Sequence, residues 1–275
     1  MKGWQSAIGS GRRRALAAAA LLLYAQLCSS LPAKAFAADG QSPLVIHLPG
    51  IGGHMRIDDQ MTGGLKLGGL DAEIRIYDWT NGNPGMPALG NYQQNQREAE
   101  KVAQMIVEAR RADPSRRIIL TGHSGGTGIA VWALEKLPDD VQIDTLLMIA
   151  PALSPQYDLT AALRHVRGNA YAFTSVADQI LGWGTRSFGT IDRVKTDAAG
   201  RIGFTTPDAA DPQQYAKLKQ FAYDRAWTRY NNSGDHIGAM MRPFARSILA
   251  PLLLNGELPE SPATRPATTR AAGKA

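Results

Sequence analysis

Residues 121–128 read TGHSGGTG, a serine set among glycines directly after the apolar run RRIIL. A hydroxyl does nucleophilic chemistry only where a base can take its proton and the neighbouring side chains stay out of the way. Gly122-His123-Ser124-Gly125-Gly126 matches the G-x-S-x-G spacing of a serine held on a sharp strand-to-helix turn. The outer glycines have a steric purpose, because a side chain two residues either side would collide with the strand or the helix. RRIILT before the turn reads as a strand, and GTGIAVWALEKL after it as a helix stopped by Pro138. The first N–H groups of that helix point at the hydroxyl and favour negative charge there. A phosphate-binding turn is the other use of such a loop, and this one lacks the lysine that use requires.

Serine alone is a weak nucleophile, so a base and an acid that orients it must come from elsewhere. In folds that carry serine on such a turn, the acid and then the histidine follow it along the chain. Two histidines follow Ser124. His165, within AALRHVRGN, lies in a helical stretch and reads as an ordinary surface or core residue. His236, within NNSGDHIGAMM, lies in a polar, glycine-containing loop from which a ring can swing over the sheet edge. It is the expected general base. In NAYAFTSVADQIL, Asp178 follows an apolar strand and shares the sheet edge of Ser124 if the sheet is parallel. Its carboxylate would accept the second ring N–H and fix the tautomer, while its simpler use is as N-cap of a helix starting at Gln179. Asp192, Asp208, Asp211 and Asp235 compete for the acid's role. Asp235 adjoins His236 and is badly placed to bond its ring, and the others fall in or beyond a less regular region.

The anion formed on attack needs two hydrogen-bond donors. One is the N–H of Gly125, the residue after the serine, and the other is expected from the loop after the first strand. HLPGIGGH (47–54) supplies a glycine-rich loop in that place, and Ile51 N–H is the expected second donor.

These groups need a frame that brings strand ends together. PLVIHL (43–48), AEIRIYDW (72–79), RRIILTG (116–122), IDTLLMIA (143–150) and NAYAFTSV (169–176) are short apolar runs bounded by turn residues. Amphipathic stretches lie between them, the clearest being QREAEKVAQMIVEARRA (96–112), with Ala99, Val102, Ala103, Ile106 and Ala109 at helical spacing. Alternating strands and helices predict an α/β fold with a mostly parallel central sheet covered by helices on both faces. Over 188–228 the pattern is weaker, and it suggests a hairpin turning at Asp197–Gly200, then a helix through Tyr215–Phe221.

Taken in order, HLPGIGG, GHSGG, the strand before Asp178 and Gly234-Asp235-His236 resemble the α/β-hydrolase fold, in its esterase and lipase branch, over about residues 43–250. The resemblance implies a Ser124–His236–Asp178 triad that forms an acyl-enzyme on a small carboxylic ester, released by water. Two departures stand out. Pro49-Gly50 replaces the usual His-Gly pair of the oxyanion loop, and the leader leaves no room for the two N-terminal strands of larger members, so a compact version is expected. A serine nucleophile argues against the haloalkane dehalogenases and epoxide hydrolases, which resemble this fold but attack through an aspartate. An acyltransferase, thioesterase or peptidase on the same triad is the alternative, and a non-catalytic binding protein on this scaffold would be expected to lack a triad member.

Substrate contacts are less defined. Met55, Trp183 and Met240 are candidate acyl-binding residues, with Met86, Ile180 and Leu181 near the same strand ends. No metal ligand set and no cofactor motif stands out.

The chain has 275 residues and a formal charge of +6, but Lys2, Arg12, Arg13, Arg14 and Lys34 crowd its start without an acid. Setting those five aside from 30 basic residues leaves 25 against 24 acids, a body with no pull on nucleic acid or an anionic membrane. Residues 1–37 read as an export signal: a basic segment, the apolar run ALAAAALLLYAQL, and small-residue sites at Ala33-Lys34-Ala35 or Ala35-Phe36-Ala37. That apolar run is shorter than the ~20 residues needed to span a bilayer. Cleavage would deliver the chain to the periplasm or outside the cell without Cys28, its one cysteine. The folded body is expected over 40–255, and the Pro-, Ala- and Thr-rich segment 256–275 is expected to be a disordered tail.

Overall fold

The computed structural model describes residues 41–208 and 210–259. The expected leader over 1–37, Cys28 and nearly all of the expected tail lie outside the described residues. Within them, six strands form one sheet: β1 (Leu44–Leu48), β2 (Glu73–Ile76), β3 (Ile118–His123), β4 (Thr145–Ile149), β5 (Ala170–Thr174) and β6 (Leu218–Ala222). All neighbours run parallel, in the order β2-β1-β3-β4-β5-β6. The sheet is therefore wholly parallel rather than mostly so.

The two-residue period of a strand sorts its side chains onto two cores. Leu44, Ile46, Leu48, Ile118, Leu120, Leu146 and Met148 enter one. Val45, Ile119, Leu147, Ile149, Tyr171 and Phe173 enter the other. On the second face pack α1 (Arg56–Leu67), through Met61 and Leu65, and the C-terminal helical run Arg242–Phe244, Ala245–Leu249 and Ala250–Asn255. The first face takes α2 (Tyr92–Ala112), through Ala99, Val102 and Ile106, and α3 (Gly126–Glu135), through Ile129, Val131 and Leu134. β1, β3, β4 and β5 are buried along their whole length and mostly apolar, which is why those segments read as apolar runs.

From β1 the chain steps outward to β2 and then crosses back to β3 on the other side of β1. The loops after β1 and β3 thus part in opposite directions, which opens a crevice at their carboxyl ends where ligands settle in open α/β sheets. HLPGIGG and the Ser124 turn are those two loops.

The segment 188–228 departs from expectation. There is no hairpin at Asp197–Gly200, where Ala199–Ile202 forms a single helical turn docked under the strand ends by Gly200 N–H to Pro151 O (2.7 Å) and Ser175 N–H to Gly200 O (2.8 Å). The expected helix through Tyr215–Phe221 is a short one, Pro212–Tyr215, followed by β6 paired with β5 from Ala170↔Leu218 to Thr174↔Ala222. LKQFA is a half-exposed edge strand with good helix formers in it. Its strand conformation comes from the backbone groups β5 offers, which no local pattern announces.

Candidate active site

Ser124 sits between β3 and α3 with φ +51°, the left-handed region that costs a non-glycine residue about 1–3 kcal/mol. Its N–H donates to Ile149 O (2.9 Å), and its carbonyl accepts from Thr127 N–H (3.1 Å) and Thr127 Oγ1 (2.6 Å). A Cβ on Gly122 would lie 2.8 Å from Gly126 O and Thr127 Cα, and one on Gly126 would run into the carbonyls of Leu48 and Pro49. The two glycines therefore let α3 start against both β3 and the end of β1.

The loop after β1 lies against the serine. A Cβ on Gly50 would be 3.4 Å from Ser124 Cβ, and one on Gly125 would be 2.7 Å from Ile51 Cγ2. Trp79 Nε1–H donates to Pro49 O (2.7 Å) and Gly85 N–H to Ile51 O (2.6 Å), fixing the loop from outside. Among the described residues, neither Ile51 N–H nor Gly125 N–H has a hydrogen-bond acceptor.

Asp178 follows β5 and is 1% exposed. Its Oδ1 accepts from Leu181 N–H (2.9 Å), capping α4 (Gln179–Phe188), while Oδ2 accepts from His236 Nδ1–H (2.7 Å). The two uses considered for this residue thus coexist on one carboxylate. Because Nδ1 faces an acceptor it carries the proton, which leaves Nε2 as the basic nitrogen. His236 stands in a loop held by Ser175 Oγ–H to Gly234 O (2.5 Å) and by Asn232 Oδ1, which accepts from Gly234 N–H (3.0 Å). Neither Ser124 Oγ nor His236 Nε2 has a hydrogen-bond partner among the described residues, and neither is sealed from solvent. The two are not bonded to each other.

Three of the competing acids are engaged elsewhere. Asp192 accepts from Ser154 N–H (2.9 Å) and Oγ–H (2.6 Å), Asp211 from Gln213 N–H (2.9 Å), and Asp235 from Ser233 Oγ–H (2.7 Å) and Ile237 N–H (3.1 Å). His165 bonds Val141 O at 2.8 Å and is buried. Of the candidate substrate contacts, Met55 is exposed beside the loop at Gly52, while Trp183 is exposed on α4, edge-to-face with Phe188 at 5.6 Å. Met240 is fully buried with Phe244 and Met61 in the core under α1, so its side chain packs rather than facing a substrate.

Three buried polar residues near the serine escaped the sequence reading. His47, on β1, donates through Nε2–H to Asp58 Oδ1 (2.9 Å) and has Thr121 Oγ1 2.6 Å from Nδ1. Burial alone would raise the Asp58 carboxyl, but the His47 hydrogen bond and charge and the Met55 N–H together hold it below its ordinary value. His123, directly before the serine, is 2% exposed and donates Nε2–H to the backbone carbonyl of His236 at 3.0 Å. Its adjacency to Ser124 was the available signal. His47 and Asp58, on separate elements, offered none.

No helix among the described residues is long and apolar enough to cross a membrane, and no group of three or more His, Cys, Asp or Glu able to hold a metal ion occurs among them. No family model and no curated protein matches the chain. Solved structures do resemble it. Aspergillus fumigatus lipase B matches at 17% identity and TM-score 0.50, over 81% of this chain and 55% of that one, so the chain spans about half the length of that relative. Est1E from Butyrivibrio proteoclasticus matches at 12% identity and TM-score 0.45 (78% and 88% of the two chains). The esterase domain of a Rhodothermus marinus protein matches at 13% identity and TM-score 0.44 (79% and 89%). With the six parallel strands in their observed order, the likeness to the fungal lipase makes this an α/β-hydrolase fold.

Proposed function

We propose that the chain is a serine hydrolase of carboxylic esters, with Ser124 as nucleophile, His236 as general base and Asp178 as the acid that orients it. The observation that carries the reading is the His236–Asp178 hydrogen bond, which leaves the far nitrogen of the ring unengaged, in a loop tied to the residue preceding a strained serine. On substrate binding, Ser124 Oγ attacks the ester carbonyl carbon as its proton passes to His236 Nε2. Asp178 holds the ring and stabilises the imidazolium. The tetrahedral oxyanion takes hydrogen bonds from the N–H groups of Ile51 and Gly125, both of which lack a competing acceptor. Collapse breaks the bond to the alcohol, which leaves with the proton from Nε2. A water molecule then attacks the acyl-enzyme by the same proton route and regenerates Ser124. The Ser124–His236 hydrogen bond forms in the substrate complex, as such contacts often tighten only on binding.

Met55 and Trp183, exposed on the loop after β1 and on α4, are proposed as contacts for the acyl or alcohol group. The fold shared with the fungal lipase supports, by analogy, an ester substrate over an amide. Export through the segment 1–37 completes the proposal, and N-terminal sequencing of secreted protein tests it.

The decisive experiment pairs a fluorophosphonate, which serine hydrolases capture by displacement of fluoride, with short-chain p-nitrophenyl esters. Wild-type protein is expected to be labelled at Ser124 and to turn the esters over, and Ser124→Ala to do neither. Undiminished turnover by Ser124→Ala removes the assignment.

A further inference from the structure

His123 closes β3, paired with Ile149 of β4, and is followed at once by Ser124. The loop carrying His236 is irregular and is anchored mostly from the β5 side, by Asp178 on the ring and Ser175 on the Gly234 carbonyl. Among the described residues, the bond from His123 Nε2–H to His236 O is the only hydrogen bond joining this loop to the serine turn, across 113 residues of chain. The two rings are 4.9 Å apart at their centroids, tilted by 44°.

Among the described residues, the other ring nitrogen, Nδ1, is buried without a partner, beside Gly50 of the oxyanion loop, where a Cβ would come within 3.3 Å of it. A leucine would fill the same space without stranding a polar atom. What the ring adds is therefore its single bond to the His236 carbonyl. The groups facing it are His236, Asp58 of α1 and His47 of β1; burial first, then the His236 charge, push its pKa down to about 3, so it stays a neutral donor.

We infer that His123 is a positioning residue: its Nε2–H holds the His236 backbone and thereby sets where the basic nitrogen stands relative to Ser124. The inference rests on the serine-hydrolase reading and adds to it a part that touches no reacting atom. Displacing a catalytic group by about 1 Å costs on the order of 100-fold in rate, and most of that loss falls on the chemical step.

Three variants test it in the p-nitrophenyl ester assay, beside Ser124→Ala. His123→Leu removes the donor and is expected to lower kcat by roughly 10- to 100-fold with KM within about 2-fold. His123→Gln puts an amide N–H near the position of Nε2 and is expected to recover most of the loss. His123→Asn, equally polar but too short to reach the carbonyl, is expected to stay low. Wild-type kcat in His123→Leu, or equal kcat in the Gln and Asn variants, overturns the inference. Should His123→Leu fail to fold by circular dichroism, the Gln–Asn comparison alone carries the decision. A dead Ser124→Ala beside a fully active His123→Leu sinks only this inference, whereas an active Ser124→Ala sinks the hydrolase reading itself.

Discussion

Two histidine–aspartate pairs lie close to the serine turn. His236 reaches Asp178 at 2.7 Å and His47 reaches Asp58 at 2.9 Å, so the contact itself does not tell them apart. The difference lies at the second ring nitrogen. His47 has Thr121 Oγ1 2.6 Å from Nδ1 and a side chain with no exposed surface, so the ring is engaged on both edges and closed to any incoming group. Among the described residues, His236 keeps Nε2 without a partner, and its side chain stays 10% exposed. A base needs an unoccupied lone pair within reach of a substrate, and only one of the pairs leaves one. The sealed pair joins β1 to α1 instead, and through Asp58 Oδ2 to Met55 N–H (2.8 Å) it anchors the far end of the loop that carries Ile51.

Substitutions that treat the two pairs alike put that contrast to the test. Asp178→Asn is expected to lower kcat by about 10²- to 10⁴-fold, since the ring loses its fixed tautomer. Asp58→Asn, which keeps an acceptor for Met55 N–H, is expected to lose less than about 10-fold, as is Asp192→Asn. Steady-state kinetics giving equal losses at Asp178 and Asp58 would erase the distinction. His47→Leu is expected to act on stability, by about 3–5 kcal/mol in urea denaturation, because it leaves the Asp58 carboxylate buried and unpaired. Its turnover per folded molecule should remain within several-fold of wild type.

The smallest effect concerns pH. The Asp58 carboxyl is held below its ordinary value of 3.8 in the folded protein, so its stabilising contribution is complete above that value and is lost as pH falls through the lower, folded-state one. Below about pH 4, the stability–pH curve of Asp58→Asn should therefore be shallower than that of the wild type. A curve of unchanged slope by tryptophan fluorescence would mean that the sealed pair contributes no charge to stability.

Five strands and the long helix α2 were legible because their patterns are local. Apolar runs marked β1, β3, β4 and β5, and alternation marked β2. The sixth strand was not legible, since Lys219 and Gln220 face solvent at a sheet edge and only pairing with β5 makes LKQFA a strand. Asp178 could be named because a carboxylate after a strand is either a cap or a partner, and here both uses hold at once. Met240 misled because an apolar residue near a candidate base looks the same in sequence whether it lines a cleft or, as here, is buried in the core.

The sequence by itself determined the bend at Ser124, because the clash that demands glycine at 122 arises with Gly126 and Thr127, only a few residues away. The demand for glycine at 126 comes instead from the Leu48 and Pro49 carbonyls and exists only once β1 lies beside the turn. Which histidine would be open for proton transfer was decided only in three dimensions. Saturation of a ring nitrogen and its closure from water depend on Thr121, Asp58 and the helix above them, groups that meet His47 only once β1, β3 and α1 have packed together.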